Sequence, residues 1–186
     1  MYIVMTTRNV HTTRLHNGTI IFSDFPDFRP NLTPKEIFEL GSFGGTYWRP
    51  INSRVTGKSH KNHHKKFPDL ASIPRTLMTV PWSDYNKDVN RYGVKVGSTL
   101  EDWENSGWIV KQDPYGWVQW YCNFFYGRRT LDDERQVQRW INTAGPNSRF
   151  RKRLDNMIEA ANASKRDYSI SPKIRQTLQH WAVEYK

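Results

Sequence analysis

The chain carries a single cysteine, Cys122, in 186 residues. That excludes an internal disulfide and a cysteine-based zinc site. Acidic residues are scarce: 18 Asp and Glu stand against 28 Lys and Arg, for a formal net charge of +10. No apolar run is long enough to span a membrane, and no N-terminal stretch resembles a signal peptide. The expectation is a soluble, intracellular, cytoplasmic protein with no membrane partner, in which the sequons at Asn17, Asn31 and Asn162 carry no weight. No internal repeat or interdomain linker is visible, so a single domain over residues 1–186 is expected.

Hydrophobic residues are also sparse, at 37%, yet aromatics reach 14%. Large rings bury much apolar surface with few residues, so a folded core remains within reach. The positive charge attracts polyanions, and DNA or RNA is the expected partner class.

The order of local signals predicts an α+β fold, with a small N-terminal β portion and a mainly helical C-terminal half. Asn17-Gly18 between β-prone residues marks a hairpin over Arg14–Phe22. Thr33 caps a short helix, Pro34 suits its first position, and Gly41 ends it. Ser42-Phe43-Gly44-Gly45 reads as a tight bend, with a backbone nest as the lesser alternative. An irregular basic loop is expected over about residues 49–66, and Tyr92–Gly97 has the composition of a short strand. Thr99 and Asp102 form a capping pair. Asp113-Pro114 opens a longer helix that carries Trp117, Trp120, Tyr121, Phe124 and Phe125 and stops at Gly127. Further helices start at Thr130, Ser148 and Ser171. Their inward positions include Val137, Trp140, Ile141 and Ala144, then Phe150, Leu154, Met157, Ile158 and Ala161, then Ile174, Leu178, Trp181, Ala182 and Tyr185. Three short helices with tight turns have the outline of a helix-turn-helix unit.

The stretch Trp103–Trp140 is the richest in chemistry. Core packing accounts for most rings of the aromatic helix. Trp48, Trp82, Trp103 and Trp108 lie in turns or short elements and are the candidates to stack on bases. Arg128 and Arg129 precede a helix start, where guanidinium forks and backbone amides can hold a phosphate; ion pairs with Asp132, Asp133 or Glu134 are the equal alternative. Those three carboxylates suit a helix N-terminus electrostatically. As a Mg²⁺ cluster for catalysis they need a further partner such as Asp113 or Glu101. Phosphate contacts are expected from Arg49, Lys58, Lys61, Lys65 and Lys66 in the basic loop. A second set, Arg149, Arg151, Lys152 and Arg153, lies on the outer face of the helix from Ser148. His60, His63 and His64 stand among lysines that repel a cation, so no metal site is expected there. Gly57-Lys58-Ser59 lacks the upstream glycine of a P-loop. Cys122 lies mid-helix and reads as a buried thiol.

Several long segments resemble one uncharacterised family found in large bacteriophages, bacteria, algae and fungi. They are Phe25-Pro26-Asp27-Phe28-Arg29-Pro30-Asn31-Leu32-Thr33-Pro34, Gly41–Pro50, Asp113–Cys122, Gly127-Arg128-Arg129 and Asp132–Gln136. The resemblance covers the chain from about Phe25 onward. It implies no activity, so no functional residue is carried over from it.

The leading expectation is a nucleic-acid-binding protein that uses a basic surface and a few exposed aromatics. The alternatives are an enzyme acting on DNA or RNA (a nuclease, a glycosylase or a base-modifying enzyme, with Mg²⁺ as its only conceivable cofactor) and a phage-type factor that binds a protein partner.

Overall fold

The computed structural model describes residues 12–186. It is an α+β fold with two small antiparallel sheets and six helices among the described residues. Strands β1 (Thr12–Arg14) and β2 (Ile20–Phe22) form the N-terminal hairpin, with Arg14 opposite Ile20 and Thr12 opposite Phe22. Gly18 takes φ +87° in its turn, a conformation that glycine adopts at no steric cost. Helix α1 (Pro34–Glu39) opens with a full capping box: Thr33 Oγ1 accepts from the Glu36 N–H, and the Glu36 carboxylate accepts from the Thr33 N–H.

The basic stretch is more ordered than its composition suggests. Strands β3 (Ile51–Ser53) and β4 (Lys58–His60) pair there as a second hairpin, with Ile51 opposite His60. Ile51 and Ser53 are buried while Asn52 points out, a two-residue alternation too short to register against the surrounding charge. Short 3₁₀ turns follow, at 63–66, 68–72, 75–77, 82–84 and 87–89. Tyr92–Gly97 forms no strand: Tyr92 is buried against Tyr168, and a turn at Gly93 with φ +61° breaks the extended run.

The glycines of the 41–45 turn serve close approach. A Cβ on Gly41 would lie 2.4 Å from the Val89 carbonyl oxygen, and one on Gly45 would lie 2.1 Å from that of Thr76. Only glycine lets the 3₁₀ segments close over this turn.

The remaining helices are α2 (Leu100–Asn105), α3 (Trp117–Phe125), α4 (Asp133–Ala144), α5 (Arg149–Ala160) and α6 (Pro172–His180). Thr99 and Asp102 do form a capping box on α2, and Ser148 caps α5 through the Arg151 N–H. Helix α3 begins later than Asp113-Pro114 suggests. Those residues make a turn closed by Gly116 N–H to the Asp113 carbonyl, and the helix starts at Trp117. On α5, Met157 and Ala161 face solvent rather than the core, because α6 covers only the Leu154–Ile158 side.

Phe28 is the hub of the core. It is fully buried and touches the rings of Phe22, Trp117, Trp120, Tyr121, Phe124 and Trp140 at centroid distances of 5.1–6.3 Å. The N-terminal hairpin, α3 and α4 therefore pack on one ring. The C-terminal end closes the same core: Ala182 O accepts from the Asn31 and Leu32 N–H groups, and the Asn31 carboxamide pairs with the Glu184 backbone. Replacing Phe28 by Ala should remove about 3–5 kcal/mol of stability. In a urea titration this appears as a lower midpoint at unchanged slope.

Candidate functional site

A cavity of ≈ 690 Å³ opens where α2, the start of α3, and helices α4, α5 and α6 meet. Its walls are mostly aromatic. Trp103 comes from α2, and Trp108 from the turn that follows, where the Trp108 N–H donates to the Trp103 carbonyl. Trp117 opens α3. Gly116 precedes it at φ +85°, and a Cβ there would lie 3.0 Å from Ile109 and 3.8 Å from Trp103. Glycine thus lets the Trp103 wall close on Trp117. Phe150 enters from α5 and Trp181 from the end of α6, with its ring 4.8 Å from that of Trp117.

Polar groups reach the cavity at helical spacing. On α4 they are Arg139, Asn142 and Thr143; on α6 they are Thr177 and His180. The Arg139 guanidinium lies 5.7 Å from the Trp108 ring centre and 5.4 Å from that of Trp181. Its Nη1 donates to the neutral Gln136 Oε1 at 3.0 Å. Among the described residues Arg139 has no carboxylate ion pair. Burial, followed by the neighbouring Arg135 charge, lowers its pKa to about 10, so it stays cationic at neutral pH in a desolvated setting. His180 Nε2 lies 2.7 Å from the Ser42 carbonyl oxygen, and its ring stacks on Phe43 at 4.2 Å. Burial pulls its pKa down to about 4, against a weaker opposing effect of the Ser42 carbonyl.

A second, shallow depression of ≈ 610 Å³ runs along α5. Arg149, Lys152 and Arg153 line it with Asn147 and Asn156, and no carboxylate does. Arg149 lines both depressions, so the basic groove and the aromatic cavity lie side by side with Arg149 between them.

The sequence candidates divide sharply. Trp103 and Trp108 meet in the cavity, where Trp108 is 45% exposed. Trp48 is buried, packed against Tyr115 and Phe67, and is not available for stacking. Trp82 is exposed, but Arg49 and Lys95 stand over its ring at 5.0 and 4.2 Å. Arg49 is accordingly committed to Trp82 and to the Thr46 carbonyl. Lys58, Lys61, Lys65 and Lys66 are exposed around β4 and the turn after it, and none lines the cavity. Arg149, Lys152 and Arg153 are exposed on α5 as expected, whereas Arg151 turns inward to the Ala144 carbonyl and the Tyr185 ring.

Arg128 and Arg129 are occupied by carboxylates other than those expected. Arg128 makes a two-pronged pair with buried Asp113 at 2.5 and 2.9 Å. Arg129 pairs with Asp24 at 2.7 Å and lies 3.6 Å from the Phe124 ring centre. The acidic cluster is likewise dispersed. Asp133 is buried and accepts from Trp120 Nε1, the Thr130 N–H and the Thr130 hydroxyl. Asp132 holds Arg135 and Gln136, and Glu134 points to solvent. No group of three or more His, Cys, Asp or Glu among the described residues is arranged to hold a metal ion, so Asp132, Asp133 and Glu134 form no Mg²⁺ cluster with Asp113 or Glu101. His60 contacts Thr56 and His63 contacts Gln119 instead. Cys122 is fully buried, and burial pushes its thiol well above the ordinary range.

Sequence reasoning missed Arg139 and His180 and assigned Trp117, Phe150 and Trp181 to the core alone. The available signal was local: Arg139 adjoins the Val137–Trp140–Ala144 stripe, and His180 adjoins Trp181. No family model matches this chain, and no curated protein or solved structure matches it either. The geometry alone therefore carries the functional reading.

Two outcomes test this description. Asp133→Ala leaves the Trp120 and Thr130 donors unpaired in the interior and should cost about 1–3 kcal/mol in a denaturation titration. His180 refuses, when folded, a proton that the unfolded chain accepts between pH 6.5 and about 4. Its contribution to stability is complete above 6.5 and is lost as pH falls through that window. Tm should thus fall more steeply in the native protein than in His180→Gln over this range. A constant gap between the two would mean that the folded imidazole takes up its proton normally.

Proposed function

We propose that the protein binds single-stranded or locally unpaired nucleic acid, with the phosphates along α5 and a splayed base in the aromatic cavity. The observation that carries this reading is the adjacency of the two depressions, which share Arg149 in their walls. A row of cations with no carboxylate in its lining lies beside a chamber of indoles, and a desolvated guanidinium that makes no ion pair among the described residues stands in the chamber wall.

Each part has a stated role. Arg149, Lys152 and Arg153 neutralise successive phosphates and release counter-ions. Trp108, together with Trp103 and Trp181, offers ring faces on which a base stacks, each worth about 1–3 kcal/mol. Arg139 gains most from an anion, because burial has stripped its charge of water and it makes no ion pair among the described residues; its hydrogen bond goes to the neutral Gln136 carboxamide, and Asp132 offsets only part of the effect of burial. A duplex keeps its bases stacked inside, so an unpaired strand fits this cavity better than a paired one.

Fluorescence anisotropy with labelled oligonucleotides across a salt series tests the proposal. Native protein should bind single strands with an affinity that falls steeply as salt rises. Replacing Arg149, Lys152 and Arg153 together by Ala should reduce the slope of log affinity against log salt by about 2, from roughly 0.7 per phosphate contact. Trp108→Ala should weaken binding by about 1–3 kcal/mol at every salt concentration and leave the slope unchanged. Absence of binding at low salt, or variants that bind like the native protein, would overturn it.

A further inference from the structure

We propose that the cavity favours adenine and cytosine over uracil and thymine, because His180 Nδ1 accepts a hydrogen bond from the exocyclic amino group of the first two. This rests on the reading of the cavity as a base-binding site and names what it prefers.

The tautomer follows from a neighbour that has no choice. A backbone carbonyl can only accept, and the Ser42 carbonyl oxygen lies 2.7 Å from His180 Nε2. The ring proton therefore sits on Nε2, and Nδ1 keeps its lone pair. Ser42 is itself held firmly. Its carbonyl also accepts from Gln176 Nε2 at 2.9 Å, and its hydroxyl donates to Gln179 Oε1 at 3.3 Å. Stacking on Phe43, with planes 24° apart, fixes the remaining freedom of the imidazole.

Gly97, another residue of the cavity wall, stands beside the Nδ1–Cε1 side of the ring. A Cβ built on Gly97 would lie 3.6 Å from both Nδ1 and Cε1. No donor among the described residues bonds to Nδ1. A lone pair in a largely apolar chamber favours a ligand that brings an N–H to it and disfavours one that does not. Burial keeps the imidazole neutral, so it offers this acceptor throughout the physiological range.

The chemistry of the bases decides the class. The exocyclic amine of adenine or cytosine projects from its ring and can reach a lone pair in the cavity wall. The imide N–H of uracil or thymine lies between two projecting carbonyls. Beside Nδ1 the imidazole edge offers those oxygens only carbon, which leaves them unsatisfied. Arg139, in the same cavity, supplies donors for the phosphate of the bound nucleotide.

The test uses intrinsic tryptophan fluorescence of the full chain, excited where nucleotides do not absorb. The probes are AMP, CMP, UMP and purine riboside 5′-monophosphate, which differs from AMP only by loss of the amine. AMP and CMP should bind roughly five- to tenfold more tightly than UMP, and AMP should exceed the purine nucleotide by a similar factor. In His180→Phe the ring can still stack on Phe43, while no acceptor remains at the Nδ1 position. That variant should bind all four alike. The comparison of AMP with the purine nucleotide needs only native protein, so it stands even where the variant fails to fold. Equal binding of all four by native protein, or a preference that survives in His180→Phe, would overturn the selection by His180 and leave the cavity as a base site. Quenching by none of them, together with no oligonucleotide binding at low salt, would overturn both readings.

Discussion

The Trp117 indole is the wall that core and cavity share. On one side it stacks on Tyr121 at 5.3 Å and meets Phe28 edge-on; on the other it meets Trp181 and lines the cavity. Its N–H is spent on the Gln136 carbonyl, which locks the ring to α4. Rings packed this way lose little further freedom when a ligand arrives, so the chamber is largely formed in advance. The aromatic richness of the chain therefore has two consequences with one cause. Rings share the core with aliphatic side chains in similar numbers, and at the edge of that core the rings wall a cavity.

Charge is partitioned by the same logic. Arg128 and Arg129 stand beside α3 and are neutralised by Asp113 and Asp24. Removing either carboxylate would strand a buried cation, and that explains their service to the fold rather than to a ligand. Arg139 is a different case: from α4 it borders the Trp108 and Trp181 rings, and among the described residues it makes no ion pair with a carboxylate. Arg149, at the N-terminal end of α5, lies over Phe150 and is likewise outside the ion pairs among the described residues. A net charge of +10 says that cations are in excess, but not which ones remain uncompensated.

A polar network joins residues 40–42 and 85–90 to α6 behind the cavity. Asn90 donates to the Leu40 carbonyl and to Gln179 Oε1, Gln176 donates to Ser42 O and Tyr85, and His180 donates to Ser42 O. Helix α6 is thereby pinned to the 41–45 turn, and the glycines of that turn admit the 3₁₀ segments that complete the enclosure. Most polar atoms of this network pair with one another, Gln176 Oε1 and Gln179 Nε2 having no hydrogen-bond partner among the described residues, and the pairing at the Ser42 carbonyl orients His180.

Local chemistry alone determined the α+β class, the Asn17-Gly18 hairpin, the capping boxes at Thr33 and Thr99, and the Ser148 and Pro172 helix starts. Each depends on neighbours within a few residues, so the signals survive in one dimension. Trp103 and Trp108 were also legible, since short elements beside Gly107 leave rings exposed. Tertiary structure decided the rest. It buried Trp48, turned Arg151 inward and assigned Asp113 to Arg128. It also carried Arg139, Arg149 and His180 from three helices to the walls of one cavity. Burial and pairing depend on what packs opposite a side chain, and that partner lies far along the chain, 138 residues away for His180 and Ser42 and 153 for Asn31 and Glu184. No local pattern encodes such a distance.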